Sequence, residues 1–179
     1  MACEDVPMLV RRENHADLEA TDEVHRRAFA ADAGLGVEPV EVGLVRALRA
    51  GPAWVPALSL VAEREGCVVG HVVVTRASVG DSEAAGLGPV GVLPAHQGVG
   101  VGSALMHAVL GAADALDVAV VVLLGHTGYY PRFGFVPASD LGIAAPDPAW
   151  GAHFQARRLA AWHAGIGGAF RYAAPFDDM

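Results

Sequence analysis

The chain has 179 residues, of which 53% are hydrophobic and 18% charged, and its formal net charge at pH 7 is −8. This length and apolar content suit one globular domain with a buried core and exclude a disordered chain. The negative charge argues against nucleic acid as a main partner, because binding to nucleic acid depends on neutralising its phosphates.

The cysteines, the histidines and the N-terminus give no sign of a metal site or a membrane segment. Cys3 and Cys67 are the only cysteines, and two thiols this far apart in sequence indicate a reduced, cytoplasmic location. The N-terminus lacks the apolar core of a signal sequence. The apolar run Ala104–Gly125 contains Asp114 and Asp117, each of which would cost roughly 2.5–3.5 kcal/mol at the centre of a bilayer. We therefore expect neither a metal nor a membrane partner.

The first third of the chain is predicted to contain one strand and two helices. Met8–Arg12 is typical of a short strand. A helix begins after Asn14 or His15 and continues to about Ala31, and a second helix spans Pro39–Leu48 before a Gly-Pro pair ends it. The apolar faces of the two helices are predicted to comprise Leu18, Val24, Ala28, Phe29, Val42, Val45 and Leu48. His25, Glu38 and Glu41 could face a substrate, but a solvated helix face is the favoured interpretation.

The middle of the chain is predicted to form three strands. Leu58–Glu63, Cys67–Val79 and Ala85–Leu93 are rich in valine and other apolar residues, and short turns containing glycine separate them. Strands joined by such short links pair most easily in the antiparallel sense. The sequence therefore predicts an antiparallel run of three strands.

A glycine-rich turn, Gln97–Gly102 (QGVGVG), follows the third of these strands. Glycine tolerates positive φ and lets the backbone approach a ligand closely. Where such a turn opens a helix, several N–H groups converge at an end that carries about half a positive charge. The turn is therefore predicted to bind a phosphate group.

Two common phosphate-binding motifs do not fit this turn. A P-loop needs a lysine, and all 12 basic residues of the chain are arginine. A dinucleotide fingerprint, G-x-G-x-x-G, needs a third glycine, but Ser103 and Leu105 stand at the two positions where it would fall. A P-loop nucleotidase is thus excluded, and a nucleotide-dependent oxidoreductase is disfavoured.

A strand–helix–strand unit is predicted around the turn. At 100° per residue, one face of the helix after the turn collects Leu105, Ala108, Val109, Ala112 and Leu116. His107 and Asp114 lie opposite and are expected to face solvent. The continuous apolar run Val118–Leu124 is typical of a strand buried on both faces and parallel to the strand before the helix. The crossover is expected to be right-handed.

The last third of the chain is predicted to hold short elements. In Gly125–Phe135 (GHTGYYPRFGF), Pro131 suits the first turn of a helix and Gly134 its end. The elements expected after it are a strand from Phe135, a loop over Ala144–Ala152, and strands over Phe154–Trp162 and Gly168–Tyr172.

Two of these motifs resemble those of the GCN5-related N-acetyltransferases (GNAT). Gln97, Gly100 and Gly102 match the coenzyme A-binding pattern [Arg/Gln]-x-x-Gly-x-[Gly/Ala], and Tyr130 precedes Gly134-Phe135 as in the Tyr-x-x-x-Gly-Phe element of that family. The phrases LGPVGV, YYPRFGF and GGAFRYAAPF are similar to those of the YhbS-like subgroup of acetyltransferases.

The resemblance implies a mixed α/β (α+β) fold. The central sheet would be mostly antiparallel, with a βαβ crossover splayed between strands 4 and 5. We expect one acetyltransferase domain over residues 1–179, with a core at 8–136 and a C-terminal extension with late strands at 137–179.

The resemblance also implies the acetyl donor and the residues that hold it. Acetyl-coenzyme A would lie in a gap between the strands at Leu87–Leu93 and Val118–Leu124. Backbone groups of Val90, Gly91 and Val92 would pair with pantetheine and polarise the thioester carbonyl. Tyr130 would protonate the departing thiolate, since a phenol stays protonated at neutral pH. The amides expected to cradle the pyrophosphate are those of Gln97, Gly98, Val99, Gly100, Val101, Gly102 and Ser103.

The general base is the point where the chain departs from the family pattern. Many relatives carry a glutamate on the fourth strand, but Ala85–Leu93 contains no carboxylate. Glu83, just before that strand, and His126, at the end of the next one, are the first candidates. Glu63, His71 and a chain of waters are further options. Trp54 and Trp150 either line an acceptor pocket or are packed in the core or as anchors of loops.

The acceptor is expected to be a primary amine of a small molecule, peptide or protein, and the acidic charge is compatible with a cationic amine. A homodimer is common in the family. The alternative is a non-catalytic acyl-coenzyme A sensor or interaction module, which the missing strand carboxylate keeps open.

Overall fold

The computed structural model of the chain describes residues 7–178, so that Cys3 lies outside the described range. Within that range the helices are α1 (Leu18–Ala28), α2 (Ala30–Ala33), α3 (Val40–Ala50) and α4 (Val101–Ala115). The strands are β1 (Met8–Arg12), β2 (Ser59–Arg64), β3 (Cys67–Val79), β4 (Ser82–Val92), β5 (Val120–Leu124), β6 (Val136–Pro137), β7 (Ile143–Ala144), β8 (Phe154–Arg158) and β9 (Gly168–Arg171). None of the helices in residues 7–178 is both long and apolar enough to cross a membrane.

The strands form one mixed sheet in the order β1-β2-β3-β4-β5-β8-β6. The run β1 to β4 is antiparallel throughout, as the short links between the valine-rich segments predicted. Strand β5 pairs with β4 in the parallel sense, and β8 returns antiparallel to β5. Strand β9 adds to the far end of β3, and β7 pairs with β9. The predicted fold, a mostly antiparallel sheet with one βαβ crossover, is confirmed.

The crossover leaves a gap between β4 and β5. The two strands pair only at Ala85 with Val121 and at Gly86 with Val122. Strand β4 continues to Val92 with β3 on one edge only. Its other edge therefore keeps backbone groups that no neighbouring strand satisfies.

Helix α4 packs on one face of the sheet, but its buried stripe is rotated from the predicted one. Leu105 and Val109 are fully buried as expected. Leu116, predicted to face inward, is 50% exposed, because the helix ends at Ala115 before that residue completes the stripe. The residues that α4 buries are Val101, Leu105, Met106, Val109, Leu110 and Ala113. His107 and Asp114 are exposed, as predicted.

Helices α1 and α3 cover the other face of β3 and β4, and here one prediction was wrong. Val42, Val45 and Leu48 of α3 are buried as expected. His25, interpreted from sequence as part of a solvated face, is fully buried. Seven residues of helix bring it back to within about 20° of Leu18, so it belongs to the inward face of α1. Glu38 remains exposed and Glu41 is partly so.

Some element boundaries differ from the prediction where tertiary contacts decide them. Strand β4 begins at Ser82, three residues before the predicted start, because it keeps pairing with β3 down to Val79. Strand β8 ends at Arg158 instead of continuing to Trp162. The Leu159 amide then donates to Ala119 and the chain turns away from the sheet. The segment expected as a loop over 144–152 is mostly a 3-10 turn, Pro148–His153.

Candidate active site at the parting of β4 and β5

The glycine turn joins the end of β4 to α4. Gly98 and Gly100 have φ values of +74° and +91°, in the left-handed region that side chains other than glycine rarely adopt. The Gln97 side chain donates to the Val92 carbonyl at 2.9 Å and so ties the turn to the strand. The Gln97 amide donates to the Pro94 carbonyl. Of the amides predicted to bind the pyrophosphate, this one therefore already has an acceptor within the chain.

The first turn of α4 presents free N–H groups at the top of the gap. Gly100 is the N-cap of this 15-residue helix, and no side chain caps it. The first N–H groups of a helix have no carbonyl of their own helix to bond. The amides of Val101, Gly102 and Ser103 therefore remain available, at the end where the helix dipole favours an anion.

Tyr129 lies directly over this helix start. A Cβ at Gly102 would stand 2.9 Å from the Tyr129 hydroxyl, so glycine at position 102 leaves room for the phenol. The guanidinium of Arg132 lies 4.7 Å from the centre of the Tyr129 ring. The turn after β5 thus brings a phenol and a positive charge to the same end of α4.

Tyr130 occupies a separate place, below the end of β5. Its ring packs so closely on Gly125 that a Cβ there would overlap it, and it contacts Phe135 edge to face at 5.9 Å. Burial, and to a lesser extent the neighbouring Tyr129, raise the pKa of Tyr130 to about 12. The phenol therefore stays protonated at neutral pH.

A third tyrosine, Tyr172, stands at the apex of the gap, and sequence reasoning gave it no role. A Cβ on Gly86, the last β4 residue paired with β5, would stand 2.9 Å from the Tyr172 ring. Burial raises the pKa of the Tyr172 phenol, and the nearby Tyr130 adds to this, while a hydrogen bond with the Leu124 backbone acts in the opposite direction. The sequence signal that could have identified Tyr172 was the closing segment GGAFRYAAPF, which contains this tyrosine.

The two first candidates for a general base lie apart from each other. Glu83 is exposed at the start of β4, where it lines a cleft of about 660 Å³ with Asp117 and His163. Nine residues of strand place Glu83 roughly 30 Å from Val92. His126 follows β5 and is exposed, and its Nδ1 accepts from the Gly128 amide at 3.1 Å.

The two further candidates are both engaged in polar contacts. Glu63 forms an ion pair with Arg11 at 2.9 Å on the outer strands. His71 is fully buried on the α1 side of β3, between His25 and Ser59. His71 therefore belongs to a buried polar cluster, which sequence reasoning did not assemble because its members lie on separate segments.

Trp54 and Trp150 pack in the structure. Trp54 lies beneath the Arg49 guanidinium, 5.6 Å from it, at the edge of the core formed by α3 and β3. Trp150 contacts Phe154 and Tyr172 with ring centres 5.7 and 6.4 Å apart. Among residues 7–178, no cluster of three or more His, Cys, Asp or Glu side chains is arranged to hold a metal ion.

A family model and a curated relative both identify the chain as similar to N-acetyltransferases. The family model for the acetyltransferase (GNAT) domain matches residues 56–137. YjhQ of Escherichia coli K12, an uncharacterized N-acetyltransferase, is 38% identical over 138 residues, which cover 74% of this chain and 72% of YjhQ.

Two solved structures are similar over nearly the whole chain. A GNAT family acetyltransferase from Brucella melitensis, in complex with acetyl-coenzyme A, is 35% identical with a TM-score of 0.76, covering 96% of this chain and 99% of that one. The GNAT family N-acetyltransferase YhbS from Escherichia coli, in complex with coenzyme A, is 29% identical with a TM-score of 0.85, covering 99% and 96%.

Proposed function

Since the chain belongs to the GNAT family of acetyltransferases, with acetyl-coenzyme A as its acetyl donor, we propose that it acetylates a primary amine by direct attack of the amine nitrogen on the thioester. The observation that carries the proposal is the gap between β4 and β5, which opens beneath the uncapped first turn of α4. Acetyl-coenzyme A supplies the activated acetyl group. The residues around the gap bind it, orient it and manage the protons.

The unpaired edge of β4 is the proposed site for pantetheine and the thioester. Val90, Gly91 and Val92 pair with β3 on one edge, and the parting from β5 leaves their other edge open. Backbone N–H and C=O groups on such an edge bond an extended ligand as a further strand would. An N–H aimed at the thioester oxygen stabilises the negative charge that develops there.

The glycine turn is the proposed pyrophosphate site. The backbone from Gly98 to Ser103 surrounds the start of α4, and the Arg132 guanidinium lies over the adjacent Tyr129 ring. The Gln97 side chain is assigned a supporting role, since it holds the turn against Val92. Positive charge and free amides together favour binding of a doubly negative pyrophosphate at the start of α4.

Tyr130 is the proposed general acid. It lies half-buried against Gly125 at the end of β5, and its high pKa keeps the proton on the phenol at neutral pH. The hydroxyl would deliver that proton to the sulfur as the C–S bond breaks.

The acceptor is proposed to be a cationic amine of a small molecule, peptide or protein, in keeping with the net charge of −8. A panel of primary amines incubated with acetyl-coenzyme A, monitored by release of free thiol, tests this proposal. The competing function, an acyl-coenzyme A sensor, is favoured only by the lack of a carboxylate on β4 from Ala85 onward. Binding of acetyl-coenzyme A without turnover of any amine in the panel would support the sensor.

Acetyl-coenzyme A is expected to stabilise the fold, because the free amides of α4 and the edge of β4 gain partners. At a concentration one hundred times Kd, mass action gives about 2.7 kcal/mol of stabilisation. Thermal unfolding with and without acetyl-coenzyme A measures the effect, with NAD as the control ligand. A Tm that ignores acetyl-coenzyme A but rises with NAD would contradict the proposed site.

Gly100→Val is expected to weaken acetyl-coenzyme A binding much more than Gly111→Val. A Cβ at either position meets nothing within 4 Å, so the two changes differ in backbone conformation and place. Gly100 has φ +91°, where a β-branched residue costs about 1–3 kcal/mol of strain and distorts the turn. Gly111 lies on the exposed side of α4, where valine suits the helix better than glycine. Calorimetric Kd values for the two folded variants decide the matter, and equal values would make the turn purely structural.

A further inference from the structure

A buried chain of polar side chains crosses the α1 side of the sheet and ends at β4. We call it the histidine relay, consisting of His25, His71, Ser59 and Glu13. His25 Nε2 lies 2.7 Å from His71 Nδ1, His71 Nε2 lies 2.9 Å from the Ser59 hydroxyl, and Ser59 donates to Glu13 at 2.6 Å. Both histidines are 0% exposed. Such a chain in a core dominated by valine and leucine requires an explanation.

The anchor of the relay is an ionised carboxylate. Glu13 has a side chain only 4% exposed and accepts from Arg49 at 2.5 Å. Burial alone would raise its pKa, but the nearby His71, with Nε2 at 3.7 Å, and the hydrogen bonds from Ser59 and Arg49 outweigh burial and lower the pKa of Glu13 to about 2. Glu13 is therefore an obligate acceptor at neutral pH.

The direction of the hydrogen bonds follows from that acceptor. The Ser59 hydroxyl gives its only proton to Glu13, so its oxygen must accept from His71 Nε2–H. In a neutral His71, Nδ1 then carries a lone pair and accepts from His25 Nε2–H. This leaves His25 Nδ1 unprotonated, as a basic nitrogen at the end of the relay.

That nitrogen is buried and finds no hydrogen-bond partner in the described part of the chain. It faces Gly91: a Cβ on that residue would stand 3.0 Å from His25 Nδ1. Gly91 is the central residue of the β4 edge that the proposed function assigns to the thioester. A buried polar atom left without a partner is uncommon in native proteins, and a catalytic role is one of its known causes.

The surroundings of His25 keep it in the basic form. Burial is the main cause that lowers its pKa well below 6.5; Arg49 on α3 adds to it, as does His71 on β3 whenever that ring is charged, and Glu13 after β1 opposes it. His25 is therefore neutral at pH 7 and able to take up a proton. The outer end of the relay lies at a cleft of about 240 Å³, which Glu13 and Ser59 line with Asn14 and His15.

We propose that His25 is the general base of acetyl transfer and that His71, Ser59 and Glu13 orient it and carry the proton outward. This rests on the proposed function. As the N–C bond forms and the C–S bond breaks, an amine proton passes to His25 Nδ1. The Nε2 proton shifts to His71, the His71 proton to Ser59, and the Ser59 proton towards Glu13 and the outer cleft. Tyr130 protonates the thiolate and regains its proton from solvent, so that the products are the amide and the free thiol.

Access to Nδ1 follows acceptor binding. The atom lies at the contact between α1 and β4, so the proposal requires this contact to admit the amine or one bridging water molecule. His25 then touches the amine directly or through that water. His71 acts only through His25 and is a positioning residue.

The tautomer can be tested without any acceptor. Two-dimensional ¹⁵N–¹H spectra of the chain labelled at histidine report which ring nitrogen carries the proton, and the His25→Gln spectrum assigns the signals. The expected result at pH 7 is a His25 ring with Nε2–H and an unprotonated Nδ1, before and after addition of acetyl-coenzyme A. A proton on Nδ1 would overturn the proposal.

The catalytic test uses His25→Gln, whose amide can keep the bond to His71 but lacks the basic nitrogen. With the primary alkylamine that the panel identifies as the best acceptor, kcat is expected to fall at least tenfold. The profile of kcat against pH is expected to lose the acidic limb that His25 gives it. The Kd for acetyl-coenzyme A is expected to stay within twofold. His107→Gln, an exposed change on α4, is the matched control and should leave kcat unchanged.

The outcomes separate this proposal from the proposed function. If the unaltered chain acetylates no amine, the proposed function fails. If it does, and His25→Gln retains kcat and the pH profile, only the assignment of His25 fails. Should His25→Gln not fold, His71→Gln takes its place: a lower kcat with a shifted acidic limb supports the relay, and an unchanged kcat overturns it.

Discussion

Replacing Tyr130 with phenylalanine is expected to lower kcat at least tenfold and to leave the Kd for acetyl-coenzyme A nearly unchanged. The substitution keeps the ring that packs on Gly125 and Phe135 and removes only the hydroxyl. A general acid typically contributes 10²- to 10⁴-fold to a rate, so loss of the proton donor is visible even where water partly replaces it. Steady-state kinetics with an amine from the panel and a calorimetric Kd measure the two quantities.

Tyr129→Phe is the control for this experiment, because the two phenols have different places. The Tyr129 hydroxyl lies at the start of α4 beside Gly102, whereas Tyr130 lies beneath Gly125. Tyr129→Phe should therefore change kcat little. If chemistry limits the rate and the two variants behave the other way round, or if neither slows turnover, Tyr130 is not the general acid.

Glu13→Gln is expected to lower the free energy of unfolding by about 3 kcal/mol at pH 7. Glu13 is nearly buried, and Arg49, Ser59 and Thr21 all donate to it. Its pKa falls from 4.5 to about 2 on folding, and each unit corresponds to about 1.4 kcal/mol. Removing one partner of a buried ion pair commonly costs about 3–5 kcal/mol, which agrees in size.

The effect of Glu13 should depend on pH in a defined direction. A carboxyl whose pKa is lowered on folding stabilises the protein fully above its unfolded value, and this stabilisation is lost as the pH falls through the folded value. The difference between the unaltered chain and Glu13→Gln should therefore be constant above pH 5.5. It should shrink by about 1 kcal/mol on going down to pH 3.5.

Urea unfolding at several pH values measures this difference, and Glu19→Gln is the matched control. Glu19 is an exposed carboxylate in the first turn of α1, where its interaction with the helix dipole is worth about 0.3–1 kcal/mol. The free energies of unfolding of Glu13→Gln and the unaltered chain are compared at each pH. If their difference stays constant down to pH 3.5, the lowered pKa of Glu13 is not the source of the stabilisation.

Local patterns in the sequence were sufficient for the order of most strands and helices and for the glycine turn. Strand β1 has the predicted bounds, and the valine-rich segments of β2 and β3 form the predicted hairpin. The turn Gln97–Gly102 has positive φ at two of its glycines. Such signals can be read from sequence because the residues that interact are neighbours, so that backbone conformation and turn chemistry fix the geometry. The family motifs are likewise short segments, such as Gln97–Gly102 and Tyr130–Phe135.

Only the tertiary structure decided which distant side chains meet. The members of the histidine relay are 46, 12 and 46 residues apart along the chain, and Tyr172 reaches Gly86 from the end of the last strand. Glu83, by contrast, belongs to β4 but lies at the end of the strand opposite Val92. The sequence determines which residues occupy one face of a helix or strand. Which faces are pressed together depends on strand order and on the α1–β4 contact, and these are set by the packing of the whole core.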